Sequence, residues 1–129
     1  MSFKFEVMIQ SLKVASQYIG TTLFMAITAI VIGVILGLGI ALIRLYRIKG
    51  LSQFFQVVVT LLKGIPMVLI ILALYLIASK QFDVWSESMN WSLRFRDFNM
   101  VWIAISALSL LATINSSEIF RGAFAAIKK

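Results

Sequence analysis

From Val14 to Ile43 the chain runs for thirty residues without a single charged side chain. A helix on the surface of a water-soluble domain keeps one polar face, and this stretch has none to offer. At 1.5 Å per residue it would make about 45 Å of helix, longer than the roughly 30 Å hydrocarbon core of a bilayer. A tilted membrane span at about residues 22–43 is expected, closed by the basic group Arg44, Arg47 and Lys49. The run is about twice as long as the apolar core of a signal peptide and no small-residue cleavage site follows it, so it is expected to stay in the membrane. Composition agrees: only 13% of the 129 residues are charged and 61% are hydrophobic, where a soluble domain is about a quarter charged.

Two further apolar runs follow. Leu51 to Ser79 is too long for one upright span, and a crossing at about 60–79 places Lys63 about 5 Å inside the near boundary, within reach of a snorkelling lysine stem. Phe98 to Ser117 gives a third crossing, about 98–119. Residues 1–18 are expected as an interfacial segment, since Phe5, Met8, Ile9 and Leu12 recur at helical spacing; a frayed terminus fits equally. Residues 80–97, rich in aromatic and charged side chains, read as an external loop at the headgroup layer. The expected fold is therefore an all-α polytopic membrane protein, a single transmembrane domain of three helices over residues 1–129.

The net charge of +7 sits beside the apolar runs, which points to lipid headgroups and not to nucleic acid. Three spans place Arg44, Arg47, Lys49, Arg121, Lys128 and Lys129 on one side and Lys4, Lys13, Lys80, Arg94 and Arg96 on the other. The tight cluster after the first span favours an outside N-terminus and a cytoplasmic C-terminus. The chain has no cysteine and no histidine, so neither disulfides nor the usual imidazole acid–base and metal chemistry is available. With five scattered acids and no GxxxxGK[ST] loop, neither catalysis nor a metal or nucleotide site is expected.

Within the spans, Ala29, Gly33, Gly37 and Ala41 repeat every four residues and form one small-residue face, suited to close helix packing; Gly and Ala are also simply common in membrane helices. In the third run, Ser106, Ser109, Thr113, Ser116 and Ser117 share a face, which either packs or lines a wet path, and serines can return their hydroxyls to their own backbone. Asn115 and Glu118 point elsewhere, and Arg121 is placed to pair with Glu118 at i,i+3. They are candidate pathway groups at the inner mouth of a translocation route, against the plainer reading of an ion pair at a helix end. In the second run Lys63, Gly64 and Pro66 predict a bend, because Pro66 lacks the amide that would bond the Leu62 carbonyl and Gly64 leaves room for it.

Three segments together resemble the permease subunits of bacterial ABC importers, specifically the polar amino acid (histidine/glutamine/arginine) type. GTTLFMAITAIVIGVILGLGIALIRLYR (20–47) is similar to that family's first core helix. LLKGIPMVLIILALY (61–75) resembles its "RGTP" entry to the second helix, with Lys63 for arginine and Ile65 for threonine. SSEIFRGAFAAIKK (116–129) resembles its "AEIxRGAxxxIxxG" stretch. Asn115 departs from the aromatic residue usual there, and the 80–99 loop departs in length and charge. The resemblance implies an incomplete type I importer permease core, the first three of five helices, stopping before the coupling loop. It places the Lys63–Pro66 bend on the gate side of a bacterial cytoplasmic membrane. It also implies an ABC ATPase that hydrolyses ATP in place of this chain, a second permease subunit and an external amino-acid-binding protein. A holin-like pore former or a non-functional fragment are the alternative readings.

Overall fold

The computed structural model describes residues 2–128, and these are all-α. Five helices follow in order: α1 (Ser2–Gln17), α2 (Ile19–Leu45), α3 (Leu51–Lys63), α4 (Met67–Ser88) and α5 (Met100–Ile127), with one 3-10 turn at Phe95–Asp97 before α5. Among the described residues, α2, α4 and α5 are long and apolar enough to cross a membrane. The all-helical, three-span expectation therefore holds.

The core is the contact between α2 and α5. The buried residues of α2 are Ala29, Gly33, Gly37 and Ala41. Those of α5 include Ala107, Ser109, Thr113 and Ser117. A Cβ built on Gly33 would lie 2.3 Å from the Ala112 Cβ, and one on Gly37 would lie 2.6 Å from the Ser116 Cβ. Both contacts advance by four residues along both helices, so α2 and α5 run parallel. This is the geometry expected when an odd number of crossings separates two spans by one return helix. Small residues allow the backbones to touch, which is how membrane helices gain van der Waals contact without a hydrophobic drive between them. Outside this seam, α2 exposes Leu23, Ile27, Ile35 and other large apolar side chains, the surface a bilayer would cover.

Three hydroxyls of the α5 polar face bond to carbonyls of their own helix. Thr113 donates to the Ser109 carbonyl at 2.7 Å and Ser117 to the Ile114 carbonyl at 2.8 Å, both buried. Ser106 donates to the Trp102 carbonyl at 2.8 Å. Only the Ser109 hydroxyl is buried without a partner among the described residues. Of the two readings of this face, its buried members are packing groups against α2.

The bend anticipated at Lys63, Gly64 and Pro66 is a complete break between α3 and α4. The Leu62 carbonyl is bonded by the Ile65 amide at 3.2 Å, and Pro66 takes an extended ψ of 139° as the N-cap of α4. Gly64 is not needed for room: it keeps helical angles, and an added Cβ would meet only the Leu61 carbonyl oxygen at 3.4 Å. Proline alone makes the break, by its missing amide and its restriction of Ile65.

Residues 80–97 differ from the loop expected from sequence. Helix α4 continues through Lys80 to Ser88, because a fall in hydropathy does not end a helix whose residues still tolerate helical angles. What ends it is Asn90 at φ 55°. The Trp91 amide bonds the Ser86 carbonyl at 2.8 Å and the Asn90 amide bonds the Glu87 carbonyl at 3.3 Å, a Schellman termination. The remaining loop folds back on α4. Asp83 accepts from the Phe95 amide at 2.8 Å, and Ser86, almost fully buried, gives its one hydroxyl proton to the Trp91 or Leu93 carbonyl. Phe82 stacks edge-on against Phe98 and Tyr75 against Phe95. Asn99 then caps α5 by accepting from the Val101 amide at 3.1 Å.

At the N-terminal end, among the described residues, α1 touches only α2 and exposes Phe5, Met8, Ile9 and Leu12. Met1 of the expected 1–18 segment, and Lys129, lie outside the described residues.

Candidate functional site

Helix α5 carries Glu118 eighteen residues after its first residue, Met100. That is about 27 Å along the axis, close to the far edge of a hydrocarbon core entered at Met100. The parallel packing of α2 brings the last turn of α2 to the same level. Arg44 donates to Glu118 Oε1 at 2.7 Å, joining residues 74 positions apart. The other oxygen, Oε2, accepts from Arg121 at 3.0 Å and lies 3.6 Å from the Lys63 ammonium. One carboxylate therefore ties together the ends of α2 and α3 and its own helix.

The burial of the four groups is unequal. The Arg44 side chain keeps 11% of its exposure and Glu118 21%, while Lys63 and Arg121 keep 48% and 50%. A charge removed from water must be paired and hydrogen-bonded, or its desolvation is uncompensated. Arg44–Glu118 is thus the structural pair, and the two outer cations add weaker, solvent-screened attraction. Each Glu118 oxygen already accepts from an arginine, so a substrate ammonium would have to compete with bound guanidinium groups for the remaining lone pairs. The site still carries three cations against one anion.

Of the residues singled out from sequence, Glu118, Arg121 and Lys63 meet in this cluster. Gly64 and Pro66 sit beside it as the α3–α4 break. Asn115 is exposed and makes no side-chain hydrogen bond among the described residues. The small-residue stripe of α2 lies one helical turn from the cluster, ending at Ala41. Arg44 was missed by the sequence reading as a partner of Glu118. The signal was available: position 44 follows 41 at i+3 and so extends the packing stripe toward the partner helix. Among the described residues no three potential metal ligands come together.

No protein-family profile matches the chain, and no solved structure matches it. A stretch of 75 residues, 58% of this chain, is 32% identical to a Vibrio harveyi protein described as a probable amino-acid ABC transporter permease, PatM. The matched stretch spans 34% of that protein's length, about a third of the curated relative. The chain is thus similar to part of an amino-acid ABC transporter permease.

Proposed function

We propose that this chain is a membrane-spanning part of the permease subunit of an ATP-driven amino acid importer. The observation that carries the reading is the similarity to a transporter permease over more than half the chain, found in a fold with three helices able to cross a membrane. In this reading the chain sits in a bacterial cytoplasmic membrane with its N-terminus outside. It pairs with a second permease subunit, receives amino acid from an external binding protein, and is driven by a separate ABC ATPase. The orientation is supported by Lys63 joining Arg44, Arg47, Lys49, Arg121 and Lys128 at one end of the bundle. The polar amino acid class rests on the motif resemblance.

The Glu118 cluster then acts as a clasp at the cytoplasmic mouth. Arg44 and Lys63 reach Glu118 from other helices, whereas Arg121 reaches it from one turn away on α5. Separation of α5 from α2 and α3 breaks the first two contacts and keeps the third. The carboxylate is never left without a cation, so the clasp can open at a modest cost in buried charge. Asn115, with its amide free, and the released Glu118–Arg121 pair would line the opened path. The break at Lys63–Pro66 lets α3 move apart from α4.

The test is uptake of labelled amino acid by vesicles carrying the full-length protein with its ATPase and binding protein. The reading expects accumulation that requires ATP, and expects Glu118→Gln to impair it while the complex still assembles. Release of entrapped dye without ATP, with no ATP-dependent uptake, would support a stand-alone pore former and overturn the importer reading. An absence of both activities would leave a non-transporting fragment as the correct description.

A further inference from the structure

The ends of α2, α3 and α5 enclose an open cleft of about 730 Å³, lined by Arg44, Arg47, Lys49, Gln53, Gln56 and Arg121 among others. Four of these are cations and no acidic residue lines the cleft. The nearest carboxylate, Glu118, has both oxygens engaged by Arg44, Arg121 and Lys63. Charges crowded this way repel one another unless an anion enters. We infer that this cleft binds the phosphate of an anionic lipid headgroup, held by Arg47 and Lys49 at its rim, Arg121 opposite and the amides of Gln53 and Gln56.

Three observations select a lipid over a free phosphate or an acidic protein. The cleft opens at the level where α2 and α5 leave the hydrocarbon, at the height of the headgroups. Exposed Ile48 lines the cleft between Arg47 and Lys49, and its chain neighbours Tyr46, Leu51 and Phe54 are exposed as well, apolar surface that suits acyl chains attached to the bound phosphate. Helix α3 is amphipathic along the same line. Phe55, Val59 and Leu62 turn toward the bundle, while Gln53, Gln56 and Thr60 form an adjoining polar stripe that begins in the cleft. Basic pockets between membrane helices hold lipid headgroups by this combination of charge and adjoining apolar surface. The turn that presents Arg47 is itself fixed: the Arg47 amide bonds the Arg44 carbonyl and the Ile48 amide bonds the Ile43 carbonyl, each at 3.4 Å. The inference concerns a lipid site on this chain and stands independently of the transport reading.

The test is native mass spectrometry of the purified chain released from detergent with phosphatidylglycerol or phosphatidylcholine at equal concentration. Retention of phosphatidylglycerol at least tenfold above phosphatidylcholine is expected. The double variant Arg47→Gly/Lys49→Gln, which keeps a residue suited to the left-handed turn, should weaken that retention by about 30-fold. The variant Lys80→Gln/Arg96→Gln, at the opposite end, should leave it unchanged; an equal loss there would reduce the effect to net charge and overturn the site. Equal retention of the two lipids, or wild-type preference in the Arg47/Lys49 variant, would also overturn it. So would displacement of the lipid by millimolar inorganic phosphate, which would make the ligand a free anion. Displacement by micromolar polyglutamate would make the cleft a protein-docking surface instead.

Discussion

Replacing Gly33 by alanine probes the α2–α5 seam with one methyl group. The added Cβ would lie 2.3 Å from the Ala112 Cβ, 2.8 Å from the Ala112 carbonyl carbon and 2.9 Å from the Thr113 amide nitrogen. Carbon atoms pack best at about 3.5–4.0 Å, so the helices must part by about 1 Å or more. Two of the three clashing atoms are backbone, and a side-chain rotation cannot relieve them. A gap of 0.5–1 Å forfeits about a quarter to a half of each dispersion contact, and overpacking of this kind costs about 1–3 kcal/mol. Gly39 supplies the control, because a Cβ there meets nothing within 4 Å. Gly39→Ala should stabilise by about 0.5–1 kcal/mol through helix propensity alone. Reversible unfolding in mixed micelles, followed by circular dichroism, measures both. The propensity gain is common to both variants and cancels, so the seam predicts that Gly33→Ala lies about 1–3 kcal/mol below Gly39→Ala. Equal stabilities for the two variants would refute the parallel close-packed pair.

Three other outcomes follow from the same geometry. Glu118→Gln should destabilise the chain by about 2–3 kcal/mol in the same unfolding assay, since Arg44 loses its carboxylate while mostly buried; Arg121→Gln, at half-exposure, should cost less than about 1 kcal/mol. Arg47→Gly should raise the stability of lipid-free protein by about 1 kcal/mol, because Arg47 occupies the left-handed region at φ 49°. Ser86→Ala should cost about 1 kcal/mol and speed hydrogen exchange of the Phe95 amide and its neighbours, because Ser86 anchors the loop that Asp83 also holds.

Much of the fold was legible because bilayer thickness converts run length into crossings. The charge-free stretch 14–43 could be little else than a span. The i,i+3 spacing of Glu118 and Arg121 likewise placed those side chains within reach, since helix geometry alone fixes that distance. The extra helical turns of α4 from Lys80 to Ser88 were not legible, because membrane hydropathy reports burial in lipid and not helix propensity. The stop signal there was Asn90, a residue that tolerates the left-handed angle. The i+3 step from Ala41 put Arg44 on the packing face, but which residue of α5 it would meet was hidden. That pairing depends on the register between two helices, which only the contacts of Gly33 and Gly37 determine. The carboxylate partner of Lys63 on another helix was hidden for the same reason.

The central claim is that α2 and α5 cross the membrane in the same direction, with one return crossing between them. Single cysteines at Ile48, Trp91 and Ile127 test it against no background, because the chain has no cysteine of its own. All three positions are exposed. With a membrane-impermeant maleimide, positions 48 and 127 should label from one face of sealed vesicles and position 91 only from the other. Labelling of 48 and 127 from opposite faces, or of all three from the same face, would contradict the account.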